Sequence, residues 1–156
     1  MPMPEHIGFY VNVTSKHIRR HLDSIFYEYE HLTGTQACVL GEISHADQDG
    51  EPYYQKNIEH HFGMRRSSAN SLISSLEQNG YLTREPVKED ARLKRLVLTP
   101  KGIETCANIQ QRLDDFEASL SSLYTKEEEQ QLLVLLKRLI DQVPDPQCTS
   151  CINSNH

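Results

Sequence analysis

Apolar residues at Ile18, Leu22, Ile25, Tyr29 and Leu32 recur at alternating intervals of four and three. That spacing draws one stripe along a helix of 3.6 residues per turn, and with Phe9, Tyr10 and Val13 leading in, it predicts a first helix over residues 8–31. Thr33 precedes Gln36 by three, the capping-box spacing in which each side chain satisfies the other's orphan amide. A second helix therefore starts there, carries Ala37, Val39, Leu40 and Ile43, and ends at the turn Asp47-Gln48-Asp49-Gly50. A short helix over 54–62 follows, then Gly63, which suits a tight turn at positive φ, then a helix over 66–79 with Leu72, Ile73 and Leu76 on its buried side. Asn79-Gly80 stops it. The next stretch reads as a β-hairpin, outward over 81–86, with a charged tip over 87–94 and a return over 95–98. Pro86 cannot donate to a ladder, which places it at a strand end or edge.

Thr99-Pro100 is an N-cap with proline at the first helical position. It opens a long helix with Ile109, Leu113, Phe116, Leu120 and Leu123 on one stripe. Thr125-Lys126-Glu127-Glu128 is a second capping box and starts a last helix. There Leu132, Leu133, Leu135, Leu136, Leu139, Ile140 and Val143 cover more than one face. An apolar surface so broad on a short helix needs several partners, and a second copy of the chain is the natural supplier. Pro144 and Pro146 close this helix, and a polar tail over 145–156 is expected to be flexible.

A chain of 156 residues suits one compact domain with its own core. No basic segment followed by an apolar one opens the sequence, and no stretch approaches a membrane span, so a cytoplasmic protein with no membrane partner is expected. Four cysteines, Cys38, Cys106, Cys148 and Cys151, are too sparse for a secreted disulfide scaffold. The net charge of -6 argues at first against a nucleic-acid partner. Between Lys56 and Lys101, however, nine basic residues face five acidic ones, so a cationic face sits within an acidic body.

Helix, turn, helix and hairpin, in that order and with that charge bias, is the arrangement of a winged helix-turn-helix. Gly63-Met64, Ser67-Ser68-Ala69-Asn70, Leu72-Ile73 and the run from Leu76-Glu77 through Asn79-Gly80-Tyr81-Leu82-Thr83-Arg84 resemble the recognition helix and first wing strand of the bacterial multiple antibiotic resistance regulator (MarR) family. Asp90-Ala91-Arg92 resembles that family's wing signature, Leu98-Thr99-Pro100-Lys101-Gly102 its junction into the long helix, and Leu32-Thr33-Gly34-Thr35-Gln36 its second-helix start. One departure is Arg65, where the family commonly places a capping Ser, Thr or Asp; that helix start must rely on Ser67 or on DNA phosphate.

The resemblance implies a mainly α fold with a small β-hairpin wing, in which a winged helix-turn-helix over 33–99 is flanked by N- and C-terminal dimerisation helices over 1–32 and 100–144. It implies a homodimeric transcriptional regulator, a repressor of a pseudo-palindromic operator in double-stranded DNA, with recognition helices about 34 Å apart. The recognition helix offers Arg65, Arg66, Ser67, Ser68, Asn70, Ser71 and Ser74 to the major groove, Arg66 forking onto guanine and Asn70 onto adenine. At the wing, Arg92 would enter the minor groove with Asp90 holding it or the hairpin backbone, while Lys88, Lys94 and Arg95 touch phosphate. Taken singly, a serine-rich face is a solvated face and Arg92 with Asp90 a surface ion pair; the order of the elements is what favours DNA.

The family resemblance also implies release by a small aromatic or anionic effector, or by oxidation. Candidates for that pocket, between the first, second and fifth helices, are Phe9, Tyr10, His17, Phe26, Tyr29 and Cys38, each of which has ordinary packing as its bland reading. Cys148 and Cys151 have metal or redox spacing but lack a second pair, and His17 with His21, or His60-His61, raise a metal-responsive alternative. The family's peroxide-sensing members carry a cysteine near the start of the first helix, where this chain has none. No metal site, cofactor or catalytic residue is assigned, because His-Glu-x-x-His, Gly-x-Ser-x-Gly, phosphate-loop and dinucleotide patterns are missing. A winged-helix interaction module that never touches DNA remains the alternative from another class.

Overall fold

Thr33 and Gln36 close the expected box: the Gln36 amide donates to Thr33 Oγ1 at 3.2 Å, and the Thr33 amide donates to Gln36 Oε1 at 3.0 Å. The structure, a computed structural model, describes residues 5–143 apart from the side chain of Tyr29. In chain order the elements are α1 (Ile7–Glu30), α2 (Gly34–Gln48), α3 (Gln55–His61), α4 (Arg66–Gln78), β1 (Leu82–Val87), β2 (Asp90–Leu98), α5 (Pro100–Ser121) and α6 (Lys126–Gln142). The fold is mainly helical with one antiparallel hairpin, as the sequence predicts. By internal contacts the chain divides into two compact units, parted after Leu113.

In the first unit, the apolar sides of α2, α3 and α4 meet over the hairpin. Val39, Leu40 and Ile43 of α2, Ile58 of α3, Ile73 and Leu76 of α4 and Leu82 of β1 are the largest fully buried side chains. Each stabilises the fold by about 1.5–3 kcal/mol relative to exposure. Phe26, Leu32, Leu96 and Ile109 extend the same core. The turn before α4 is made by Gly63 at φ 61°, and the turn after it by Gly80 at φ 79°, both backbone conformations that a Cβ disfavours.

The junction into α5 locks the end of α4. Thr99 Oγ1 donates to the Gly80 carbonyl at 2.6 Å and accepts from the Gly102 amide at 3.1 Å, so one hydroxyl caps α5 and ties back the preceding turn. Lys101 donates to the Asn79 carbonyl at 2.7 Å, where a helix C-terminus favours a cation, and lies 4.4 Å from the centre of the Tyr81 ring. A Cβ at Gly102 would collide with the Tyr81 carbonyl, which explains glycine there. The Tyr81 hydroxyl donates to the Glu30 carbonyl at 3.1 Å, and Thr105 donates to the Glu30 carboxylate at 3.2 Å. The end of α1 is thereby fastened to the start of α5.

Two expectations need correction. The charged stretch 87–94 is not a long tip: β2 starts at Asp90, and only Lys88 and Glu89 turn the chain. Both faces of a two-stranded wing are wetted, so charge there signals exposure rather than loop. Tyr54 is not helical but extended, pairing with Arg95 in an isolated bridge while the Tyr53 carbonyl accepts from the Leu96 amide at 2.8 Å. Pro86 sits next to a register shift, where Pro86 faces Lys94 and Val87 faces Asp90, and a two-stranded sheet leaves every strand an edge.

In the second unit, Thr125 and Glu128 form the other predicted capping box, at 2.9 and 3.2 Å. Ser121 donates to Glu129 at 2.7 Å across the turn into α6. No residue of α6 is buried.

Candidate nucleic-acid interface

Helix α4 separates its two characters cleanly. Ala69, Ile73 and Leu76 are buried, whereas Arg65, Arg66, Ser67, Ser68, Asn70 and Ser71 are exposed in its first turns. Arg65 occupies the N-cap in extended conformation and gives no side-chain capping bond, and neither does Ser67. The first-turn amides thus remain open toward solvent, at the end of a helix whose dipole favours an anion. Gln55 of α3 fixes this end, donating to the Arg66 carbonyl at 3.2 Å and to Glu59 at 2.9 Å.

At the wing, Asp90 Oδ1 accepts from the Arg92 backbone amide at 2.9 Å. Of the two roles the sequence allowed Asp90, the structure shows the backbone one. Arg92 lies where β2 carries extra residues opposite the Pro86/Val87 shift, and a bulge of this kind turns side chains out of the plain alternation. Lys88, Arg92 and Lys94 are exposed. Arg95 is also exposed but stands 3.6 Å from Glu85 across the hairpin.

Helix and wing enclose a concave face of about 520 Å³. Lys56, Arg66, Arg84, Arg92 and Lys94 supply its cations and Glu59 its carboxylate, with Asn70 beside them. A second depression of about 670 Å³ at the head of α4 adds Arg65 and Ser67. The fold therefore gathers residues up to 38 positions apart in sequence, from Lys56 to Lys94, onto one cationic surface.

Arg84 is the residue that the sequence reading left out of the site. Its guanidinium donates to Asn70 Oδ1 at 3.1 Å and to Ser74 Oγ at 3.1 Å, and stands 3.6 Å from Glu77. Asn70, Ser74 and Glu77 follow at intervals of four and three, a polar stripe of α4 facing the wing; that periodicity was the available signal. Ser74 is accordingly half-buried and engaged by Arg84.

The effector candidates are dispersed. Phe9 and Tyr10 stack edge to face, with centroids 5.5 Å apart, near the start of α1, and His17 is exposed. Phe26 is core, about 25 Å further along the helix at 1.5 Å per residue. Cys38 is an exposed free thiol on α2, its pKa raised by desolvation and then by Glu42 and Asp23. Burial pushes the Cys106 thiol up to about 11, and it donates to the Leu40 carbonyl at 3.5 Å. Neither environment favours a thiolate. A cavity of about 340 Å³ beside α1 and α5 is lined by Ile25, Glu30, Asn108, Ile109, Gln111 and Arg112, not by Phe9, Tyr10, His17, Phe26 or Cys38. The side chain of Tyr29, together with Pro144, Pro146, Cys148 and Cys151, lies outside the described residues. Among the described residues no group of three His, Cys, Asp or Glu is placed to hold a metal, and no helix is long and apolar enough to cross a membrane.

An amphipathic helix behind a tight turn, a two-stranded wing and a shared cationic concavity define a winged helix-turn-helix protein. The family model described as "MarR family" matches residues 32–93, the span from the first capping box to the wing. The HTH-type transcriptional regulator PecS of Dickeya dadantii is 27% identical over 124 residues, covering 78% of this chain and 72% of PecS. Two solved structures share the fold: the Staphylococcus aureus MepR–DNA complex (TM-score 0.71, 21% identity, 90% of this chain and 100% of that one) and YusO of Bacillus subtilis (0.72, 19%, 88% and 94%). Over residues 32–93 the chain is thus similar to the MarR family, and over 124 residues to a transcriptional regulator.

Proposed function

We propose that this protein is a homodimeric repressor that binds a pseudo-palindromic operator and is released by a small effector. The observation that carries the reading is the concave face, where α3, α4 and the wing bring five cations and the amides of Gln55 and Asn70 together around a single carboxylate. In this reading α4 enters the major groove with Arg65, Arg66, Ser67, Ser68, Asn70 and Ser71, its open first-turn amides meeting a phosphate. Arg92 enters the minor groove, Asp90 shapes the turn that carries it, and Lys88, Lys94 and Arg95 contact the backbone. Arg95 would exchange its exposed Glu85 partner for phosphate, a pair worth no more than about 1 kcal/mol. The complex of MepR with DNA, on the same fold, supports this use of the surface.

Dimerisation is inferred from uncovered apolar surface. Leu133, Val134, Leu135 and Ile140 of α6 each keep half or more of their surface exposed, as Ile7 does on α1. A second copy covering these helices, residues 1–32 and 100–144, would leave 33–99 free to read DNA. The cavity beside α1 and α5, within the ordinary size range of ligand sites, is the effector site we favour.

Selection of bound fragments from random duplex DNA by the purified protein tests the reading. A two-fold consensus, its half-sites about one helical turn apart, is expected. Failure to enrich any duplex at low salt would leave the protein-interaction alternative standing instead.

A further inference from the structure

Resting on the DNA-binding reading above, we infer that Arg84 is a positioning residue that sets the base preference of Asn70, turning it from an adenine reader into a guanine reader. A guanidinium is a donor only, so the Asn70 atom at 3.1 Å from Arg84 Nη2 has to be the carbonyl oxygen. The amide orientation, ordinarily ambiguous, is fixed by its neighbour. Arg84 is itself held at both ends of its reach: its backbone amide donates to Glu77 Oε1 at 3.3 Å, and its guanidinium meets Ser74 at 3.1 Å and Glu77 at 3.6 Å. Three α4 side chains therefore brace one wing arginine, and the bracing ends at Asn70.

The consequence is chemical. An unrestrained asparagine recognises adenine by presenting oxygen and NH₂ side by side to N6 and N7. With its oxygen turned to Arg84, Asn70 offers the groove its NH₂, a pair of donors. In the major groove guanine answers with two acceptors, N7 and O6, adenine with one, and cytosine with only a donor. Thymine, with O4, also offers one acceptor, so the preferred order at the contacted base is guanine, then adenine or thymine, with cytosine excluded.

The test is base preference, read by selection from a random duplex library and then by affinity for the selected duplex with that one position varied. The wild-type protein is expected to select guanine, by about fivefold over adenine, the worth of one ordinary hydrogen bond. Arg84→Ala frees the amide and moves the preference to adenine, whereas Arg84→Lys, still donor-only, keeps guanine. Asn70→Asp keeps the bond to Arg84 but presents an acceptor to the groove, so it moves the preference to cytosine; this variant decides the matter should Arg84→Ala fail to fold. Equal preference in wild type, Arg84→Ala and Asn70→Asp would overturn the inference while leaving DNA binding intact. Absence of any duplex binding by the wild type would instead overturn the reading on which it rests.

Discussion

Helices α4 and α6 are both amphipathic, yet they end differently. Helix α4 buries Ala69, Ile73 and Leu76 against the rest of its unit and turns a polar stripe toward the wing. Helix α6 carries more aliphatic residues and buries none. An apolar stripe thus reports that a helix needs a partner; it does not say that the partner lies in the same chain. In α4 the partner is the chain's own core and in α6, on the reading above, a second copy.

The largest expected effect separates the two helices by concentration. Ile73→Ala should destabilise the protein by about 2–5 kcal/mol in denaturant unfolding, equally at all protein concentrations. Leu133→Asp with Leu135→Asp should instead shift the protein to monomer in sedimentation velocity and abolish the rise of the melting temperature with protein concentration. If the double variant sediments as the wild type does, the apolar face of α6 is not the interface. Next in size, Arg92→Ala should weaken binding to the selected duplex by about 1–3 kcal/mol while leaving the melting temperature unchanged; a lost fold or an unchanged affinity would each contradict its role as a groove reader.

A smaller effect belongs to the core alone. Cys106 has its pKa raised to about 11 and Tyr53 to about 12, mainly by burial, so both stay protonated in the folded state after the unfolded chain has released its protons. Their contribution is complete below about pH 9 and is lost as the pH climbs toward 11 and 12. Unfolding midpoints followed by circular dichroism should fall across that window, and Cys106→Ala should flatten its lower part. The smallest effect concerns the Tyr53 hydroxyl, which is buried without a hydrogen-bond partner. Tyr53→Phe should be neutral or stabilising by up to about 1 kcal/mol; clear destabilisation would show that the hydroxyl has a partner.

The helices were legible because their ends are written in short-range chemistry. Thr33 with Gln36, Thr125 with Glu128, and Thr99 before Pro100 are local devices that need no tertiary knowledge. The wing was less legible. Residues 90–94 are as polar as a loop, and only pairing with β1 shows them to be strand, while the bridge from Tyr54 to Arg95 spans 41 positions and leaves no local mark. The site divides the same way. Arg66 and Arg92 could be proposed from their motifs, but the contacts of Arg84 depend on the register that carries a strand side chain onto Asn70, Ser74 and Glu77. The effector candidates, from Phe9 and His17 to Phe26 and Cys38, share no local pattern that would bring them together, and the length of α1 keeps Phe9 and Phe26 apart.

The central claim is that the concavity between α4 and the wing holds duplex DNA by its cations. Association with the selected duplex, measured as a function of salt concentration, tests it most directly. The account predicts a steep linear fall of log affinity with log salt, made shallower by about one in slope when Lys94 is replaced by alanine. Affinity indifferent to salt, or a slope that Lys94→Ala and Arg92→Ala both leave untouched, would contradict it.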